Sequence, residues 1–420
     1  MPMRPPATSL TLLLAAALLS MLGACRSEPG PAMADAAAAT AREEAAATRK
    51  PSRIDADRLE ARIATLMEDP DMVGLAIGII EDGDVRLLRG YGETLAGSGD
   101  RVTPDTVFRW ASLSKGIAAS LVVRLAGEGK LAITDPLSSF PTTLTLPGDM
   151  AKVTVEDLLA HRVGLVRNAW DDRLEAGEDP RRLRASLGSL APYCQPGTCH
   201  AYQNIAFDAV AEIVEEVTGE PYADAVRRYL FVPLAMATAS HGREGLEASS
   251  SWAKPHRLEK QPTVVKDAYY LVPAAGGANG SIRDLVRWMA AQMGSNAQVL
   301  SADMLATLHR PLVPTPPRRR PGVMSEAVTD AAYGLGWRSF RYADHVLVGH
   351  GGSVDGYGSL VLFDVADRSG IVMLWNSNSR LPALLQFEFL DMLHGRAFTD
   401  WLARGRHPDP AHDTMALAAP

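Results

Sequence analysis

Residues 333–375, YGLGWRSFRYADHVLVGHGGSVDGYGSLVLFDVADRSGIVMLW, decide the fold. Four short runs in this stretch, 333–340, 345–348, 357–363 and 370–375, are rich in β-branched and aromatic residues and read as strands. At the other end of the chain, residues 73–80 and 85–88 flank Asp82-Gly83 and read as a β-hairpin. Before that hairpin, Leu59, Ile63 and Leu66 form one stripe of a helix over 56–68. Between the two strand regions the pattern is mostly helical, with candidates at 112–125, 155–160, 204–217, 222–230 and 281–293. A last helix at 381–393 returns to cover the sheet. Strands at both ends and helices between them predict an α+β protein: an antiparallel β-sheet flanked by terminal helices, with a mostly helical region at about 105–325 inserted.

The 420 residues are 47% hydrophobic and 22% charged, enough apolar content to bury a core. A formal net charge of −7 argues against a nucleic-acid partner, which requires a basic face. Three cysteines are too few for a disulfide-rich scaffold.

The N-terminal leader places Arg4 before an uncharged, apolar run that ends at Leu22-Gly23-Ala24-Cys25. This ending resembles a bacterial lipobox. It predicts a signal peptide over 1–24, a lipid on Cys25, and a location on the periplasmic side of the envelope, at the outer membrane. Residues 25–52 are rich in Ala, Pro and small polar residues and read as a tether, so the folded domain is expected over 53–398 and a tail over 399–420. The Pro-rich stretch 311–321, with Arg318, Arg319 and Arg320, reads as a solvated loop.

Two Ser-x-x-Lys segments occur, Ser112 to Lys115 and Ser251 to Lys254. On a helix this spacing puts an amine within reach of a hydroxyl. Pro255 disfavours helix just after Lys254, so the second segment is set aside. Ser112 opens a long helical pattern, where the helix dipole favours an alkoxide and a neutral Lys115, the condition for activating a serine without a histidine.

From these residues the chain resembles the serine beta-lactamase and penicillin-binding family, in its class C-like branch that also holds esterases and D-amino-acid peptidases. Further segments match in order. Tyr202-Gln203-Asn204, after Pro196-Gly197-Thr198, is similar to the family's Tyr-x-Asn element, and His350-Gly351-Gly352-Ser353 stands where the family carries Lys-Thr-Gly. Residues 158–165, 233–236 and 276–285 resemble other landmarks, so the resemblance covers roughly 54–394.

The resemblance implies an acyl-transfer site. Ser112 attacks a carbonyl, Lys115 and Tyr202 divide the proton transfers, and Asn204 orients Lys115 or holds a substrate amide. The N–H groups of Ser112 and Ser353 form an oxyanion hole, and Gly351 and Gly352 let substrate lie close to the strand. A tyrosine at its usual pKa near 10 is a poor base at pH 7, adjacent cations can lower that value, and the resting proton is left unassigned between Lys115 and Tyr202. His350 in place of lysine leaves that position only partly charged at pH 7, which weakens carboxylate anchoring. Cys194 and Cys199 are expected to close a disulfide that stiffens the loop delivering Tyr202. Tyr333, Trp337 and Trp375 are expected in the core.

No cofactor, metal or obligate protein partner is implied. The expected substrate is a small ester, amide, D-amino-acid peptide or β-lactam, including peptidoglycan-derived ones. A beta-lactamase or peptidoglycan DD-peptidase would use the same residues, and a catalytically silent envelope-binding module is the alternative from another class.

Overall fold

The structure, a computed structural model, describes residues 50–315 and 323–406. Cys25, the leader, most of the tether, Arg318 to Arg320 and residues 407–420 lie outside the described residues. Helix α1, Ala56–Met67, is capped by the Asp55 side chain and buries Leu59, Ile63 and Leu66. Strands β1, Gly74–Glu81, and β2, Asp84–Gly92, form the expected hairpin. Its turn places Asp82 and Gly83 at positive φ, the conformation that two-residue hairpins favour.

Three short strands make a separate sheet ordered β3-β5-β4: β3, Val107–Arg109; β4, Ser240–His241; and β5, Ala278–Ser281. The sequence does not announce it, because strands of two to four residues carry no period. The remaining strands are β6, Val313–Pro314; β7, Thr329–Tyr333; β8, Arg338–Tyr342; β9, His345–Val354; β10, Tyr357–Asp364; and β11, Ser369–Trp375. With β1 and β2 they form an eight-stranded antiparallel sheet ordered β2-β1-β11-β10-β9-β8-β7-β6.

The central strands are buried on both faces and divide their side chains between two cores. Leu75, Ile77, Ile79, Ile371 and Met373 pack with α1 and with helix α5, Pro382–Leu393. Ala76, Ile80, Val361, Val372 and Leu374 face the inserted helices, among them α2, Ser114–Gly127; α3, Ala209–Thr218; and α4, Ile282–Gln292.

Several expected boundaries shift for local reasons. The run 333–340 is not one strand. It splits into β7 and β8 at a turn containing Gly336 at φ 71°. Strand β9 continues past 348 to Val354 because residues 349–354 pair with β10. The helix expected at 204–217 is two pieces, Asn204–Phe207 and α3, and the one at 222–230 passes into a π-helical turn at Arg227–Phe231. The packed chain also runs beyond 398. Helix α6, Trp401–Arg406, buries Trp401 and Leu402, and the Trp401 Nε1 donates to Asp391 Oδ2 at 2.9 Å.

Candidate active site

Ser112 lies in a 3-10 turn, Ala111–Leu113, immediately before α2. Ala111 has φ 47°, a left-handed conformation that costs a non-glycine residue about 1–2 kcal/mol. Its neighbours hold it there. Trp110 N donates to Ala278 O at 2.9 Å, Trp110 Nε1 to Gly280 O at 3.0 Å, and Ser359 Oγ to Trp110 O at 2.8 Å. Ser114 Oγ donates to Ala111 O at 2.7 Å and accepts from Ala278 N at 3.0 Å. Strands β5 and β10 therefore fix the turn that presents Ser112.

The Lys115 Nζ is 3.4 Å from Ser112 Oγ. It donates to Asn204 Oδ1 at 2.7 Å and to Ala275 O at 2.9 Å. The side chain is fully buried, and burial brings its pKa down to about 7 against the opposing pull of Asp171 and Asp208. Burial is thus the largest cause of the lowered amine pKa. Asn204 completes a relay by donating from Nδ2 to Asp171 Oδ2 at 2.7 Å. Asn204 thus orients Lys115 and keeps one Nδ2 hydrogen for a further acceptor.

The Tyr202 ring lies 4.6 Å from Lys115 Nζ and 4.2 Å, centroid to centroid, from His161. Its hydroxyl is buried, makes no well-formed hydrogen bond, and has the Ser112 side chain as its polar neighbour. Burial raises the Tyr202 pKa, and the nearby Ser112, Arg338 and Arg167 only partly oppose it. Desolvation outweighs the cations, and the resting group is a neutral phenol. Backbone bonds from Ala201 N to His161 O at 2.9 Å and from Asn168 N to Tyr202 O at 2.8 Å pin this segment. The Cys194–Cys199 disulfide closes the preceding loop, which docks through Gly197 N on Arg162 O at 2.8 Å.

His350 is buried beside these groups. Its Nδ1 lies 2.6 Å from Gly351 O and its Nε2 lies 3.0 Å from the Tyr333 hydroxyl. A carbonyl only accepts, so Nδ1 carries the proton and Nε2 accepts from Tyr333. Burial, reinforced by Arg338 and Lys115, holds the His350 pKa well below its usual value. The imidazole is neutral at pH 7, not partly charged as expected. Tyr333 is therefore both core and site wall, while Trp337 and Trp375 are buried as expected.

Strand β8 pairs with β9 only as far as Gly349, so residues 350–354 are paired on the β10 side alone. Asp355 and Gly356 form the turn between Val354 and Tyr357, which makes those two a hydrogen-bonded pair. Alternation along the ladder then directs the N–H groups of Ser353 and Gly351 to the open edge. Gly352 has a different role from the one expected. A Cβ there would lie 2.3 Å from Ser359 Oγ, 2.6 Å from Trp110 O and 3.0 Å from Ser112 N, so the missing side chain lets β9 pack on the Ser112 turn rather than on substrate. Ser353 is exposed and borders a cavity of about 850 Å³ that includes Trp375 and Ser379 but not Ser112.

The beta-lactamase family pattern matches residues 59–387. The chain belongs to the beta-lactamase family. It is 25% identical over 336 residues to an unguisins hydrolase of Aspergillus violaceofuscus, covering 72% of this chain and 58% of that protein. It spans about three fifths of the curated relatives it matches. Its fold is similar to that of the octameric penicillin-binding protein homologue from Pyrococcus abyssi, with a TM-score of 0.73 and 24% identity over 82% of this chain and 78% of that one. The beta-lactamase/D-alanine carboxypeptidase from Pseudomonas syringae gives a TM-score of 0.65 and 20% identity over 81% and 98%.

In this beta-lactamase family member the structure brings together Ser112, Lys115, Tyr202, Asn204 and His350, with Gly352 packed on the Ser112 turn. Ser251 and Lys254 are outside any helix. Ser251 Oγ is bonded to Thr106 Oγ1 at 2.9 Å, while the Lys254 Nζ lies over Trp252. Two groups near the site, Asp171 and Arg338, have no sequence signal of their own, and a third, His161, falls in the landmark segment 158–165 without being singled out as a site residue. Asp171 is raised to about pKa 6 by burial, with the Asn204 bond and Lys115 opposing. His161 accepts from Gln203 N at 3.2 Å and supports the Tyr202 ring. Arg338 lies 5.8 Å from the Tyr202 ring centroid and 5.4 Å from that of Tyr333. These residues reach the site from separate parts of the chain, so spacing does not reveal them.

Proposed function

We propose that this protein is a serine hydrolase that works through a covalent acyl-Ser112 intermediate. The observation that carries this reading is the buried Lys115 amine, 3.4 Å from Ser112 Oγ, with its two other contacts on acceptors. A neutral amine has two hydrogens. With these given to Asn204 Oδ1 and Ala275 O, its lone pair faces Ser112 and takes the hydroxyl proton as Oγ attacks. Tyr202, a neutral phenol against the same pair, passes a proton to the leaving group. The N–H groups of Ser112 and Ser353 receive the developing oxyanion, and water then cleaves the acyl bond by the reverse proton path.

The open edge of β9 supports an extended amide or peptide as the substrate, laid alongside residues 350–354 as a further strand. Neutral His350 leaves Arg338 to supply positive potential for a substrate carboxylate. That arrangement favours D-amino-acid peptides over rapid β-lactam turnover. We further propose that the protein is held at the periplasmic face of the envelope by a lipid on Cys25. A Cys25→Ala chain is then expected in the soluble fraction, and detergent-dependent membrane association of that variant would refute the anchor.

The test is to incubate the full chain with a fluorescent penicillin and with p-nitrophenyl butyrate, and to map the adduct by mass spectrometry. The adduct is expected on Ser112. Because Lys115 needs its lone pair, the acylation rate rises with pH through a midpoint near 7, the value burial gives the amine. Modification elsewhere, no adduct from either reagent, or a rate flat between pH 6 and 8 would contradict the mechanism.

A further inference from the structure

We propose that His161 is a positioning residue for proton transfer, holding the Tyr202 hydroxyl where it can protonate the leaving group. This rests on the acyl-Ser112 reading and names what decides which leaving groups that site expels. His161 follows the short helix Val155–Leu159 and is 1% exposed.

Three contacts from this one residue fall on residues 201–203. Its carbonyl oxygen accepts from Ala201 N at 2.9 Å, its Nδ1 accepts from Gln203 N at 3.2 Å, and its ring lies 4.2 Å from the Tyr202 ring with planes 40° apart. Main chain and side chain both face this segment because His161 sits at φ 56°, in the left-handed region that residues other than glycine seldom enter. An Nδ1 that accepts leaves the proton on Nε2, the tautomer of a neutral imidazole, and burial keeps the ring neutral by holding its pKa well below the usual value. The rings of Phe207 and Tyr333, at 5.2 Å and 4.9 Å, pack against the imidazole. The Tyr202 hydroxyl makes no well-formed hydrogen bond, so its aim is set from the ring and the main chain rather than from its tip. His161 holds both.

A residue that acts in this way has a selective effect. An alkoxide or an amine needs a proton to depart, whereas p-nitrophenolate departs without one. Displacing a reacting group by about 1 Å costs up to roughly 10²-fold, and only the first kind of leaving group depends on the hydroxyl displaced here.

The test measures kcat/KM with ethyl butyrate and with p-nitrophenyl butyrate for the full chain and for His161→Leu, Tyr202→Phe and the double variant. The two esters share an acyl group and differ only in what leaves. His161→Leu is expected to lose about 10²-fold on ethyl butyrate and less than about three-fold on p-nitrophenyl butyrate. In the double variant the loss on ethyl butyrate is expected to equal that of Tyr202→Phe alone, since a residue acting only through the hydroxyl has nothing left to place. Melting temperature reports folding. If His161→Leu does not fold, His161→Asn carries the same cycle with the same expectations, because asparagine tolerates the left-handed backbone and keeps an acceptor for Gln203 N but has no ring. Losses that add in the double variant, or an equal loss on both esters in a folded chain, overturn the inference and leave the acyl-enzyme reading standing. A parent chain inert to ethyl butyrate alone also overturns it, and one inert to both esters removes the acyl-enzyme reading as well.

Discussion

Lys115→Met slows acylation of Ser112 by about 10³-fold, since positioned proton transfer contributes roughly 10²–10⁴-fold. Methionine keeps the length and removes the lone pair. The remaining rate is expected to approach that of Ser112→Ala, for which no adduct forms. Stability moves differently. The Lys115 pKa is depressed in the folded chain, from 10.5 to about 7, so the unfolded chain binds the extra proton between those values. The resulting penalty is absent above the unfolded pKa and fully developed below pH 7. Methionine removes it, at the expense of unpaired acceptors on Asn204 and Ala275. The melting temperature measured at pH 6 is therefore expected to be no lower than that of the parent. Acylation within ten-fold of the parent, read by stopped-flow with the fluorescent penicillin, would show that another group takes the Ser112 proton.

Tyr202→Phe separates catalysis from packing. The ring contacts with His161 and Lys115 survive, and only the buried hydroxyl is lost. Removing a buried hydroxyl whose polar neighbour is Ser112 is expected to change the stability of the chain by no more than about 1 kcal/mol. Acylation is expected to fall by about 10²-fold or more, because the proton path to the leaving group is cut. A folded variant with a normal acylation rate would reduce Tyr202 to a wall residue. A larger fall in stability would mean that the hydroxyl has a stronger partner in solution.

The sheet was readable because its central strands are apolar on both faces and lie in two dense blocks at the ends of the chain. Ser112, Lys115, Tyr202 and Asn204 were readable because each sits in a short motif whose spacing matches the chemistry. Asp171 and Arg338 were not, since each meets the site only through the packing of separate elements, and the landmark segment that holds His161 does not show what its side chain touches.

The amino-acid sequence alone determined the order of the main elements and the pairing of a candidate serine with a candidate lysine, because periodicity and motif spacing are local properties of the chain. Tertiary structure decided the protonation states. Neutral His350, phenolic Tyr202 and the lowered pKa of Lys115 all follow from desolvation, and the extent to which a side chain is removed from water is set by everything that packs around it.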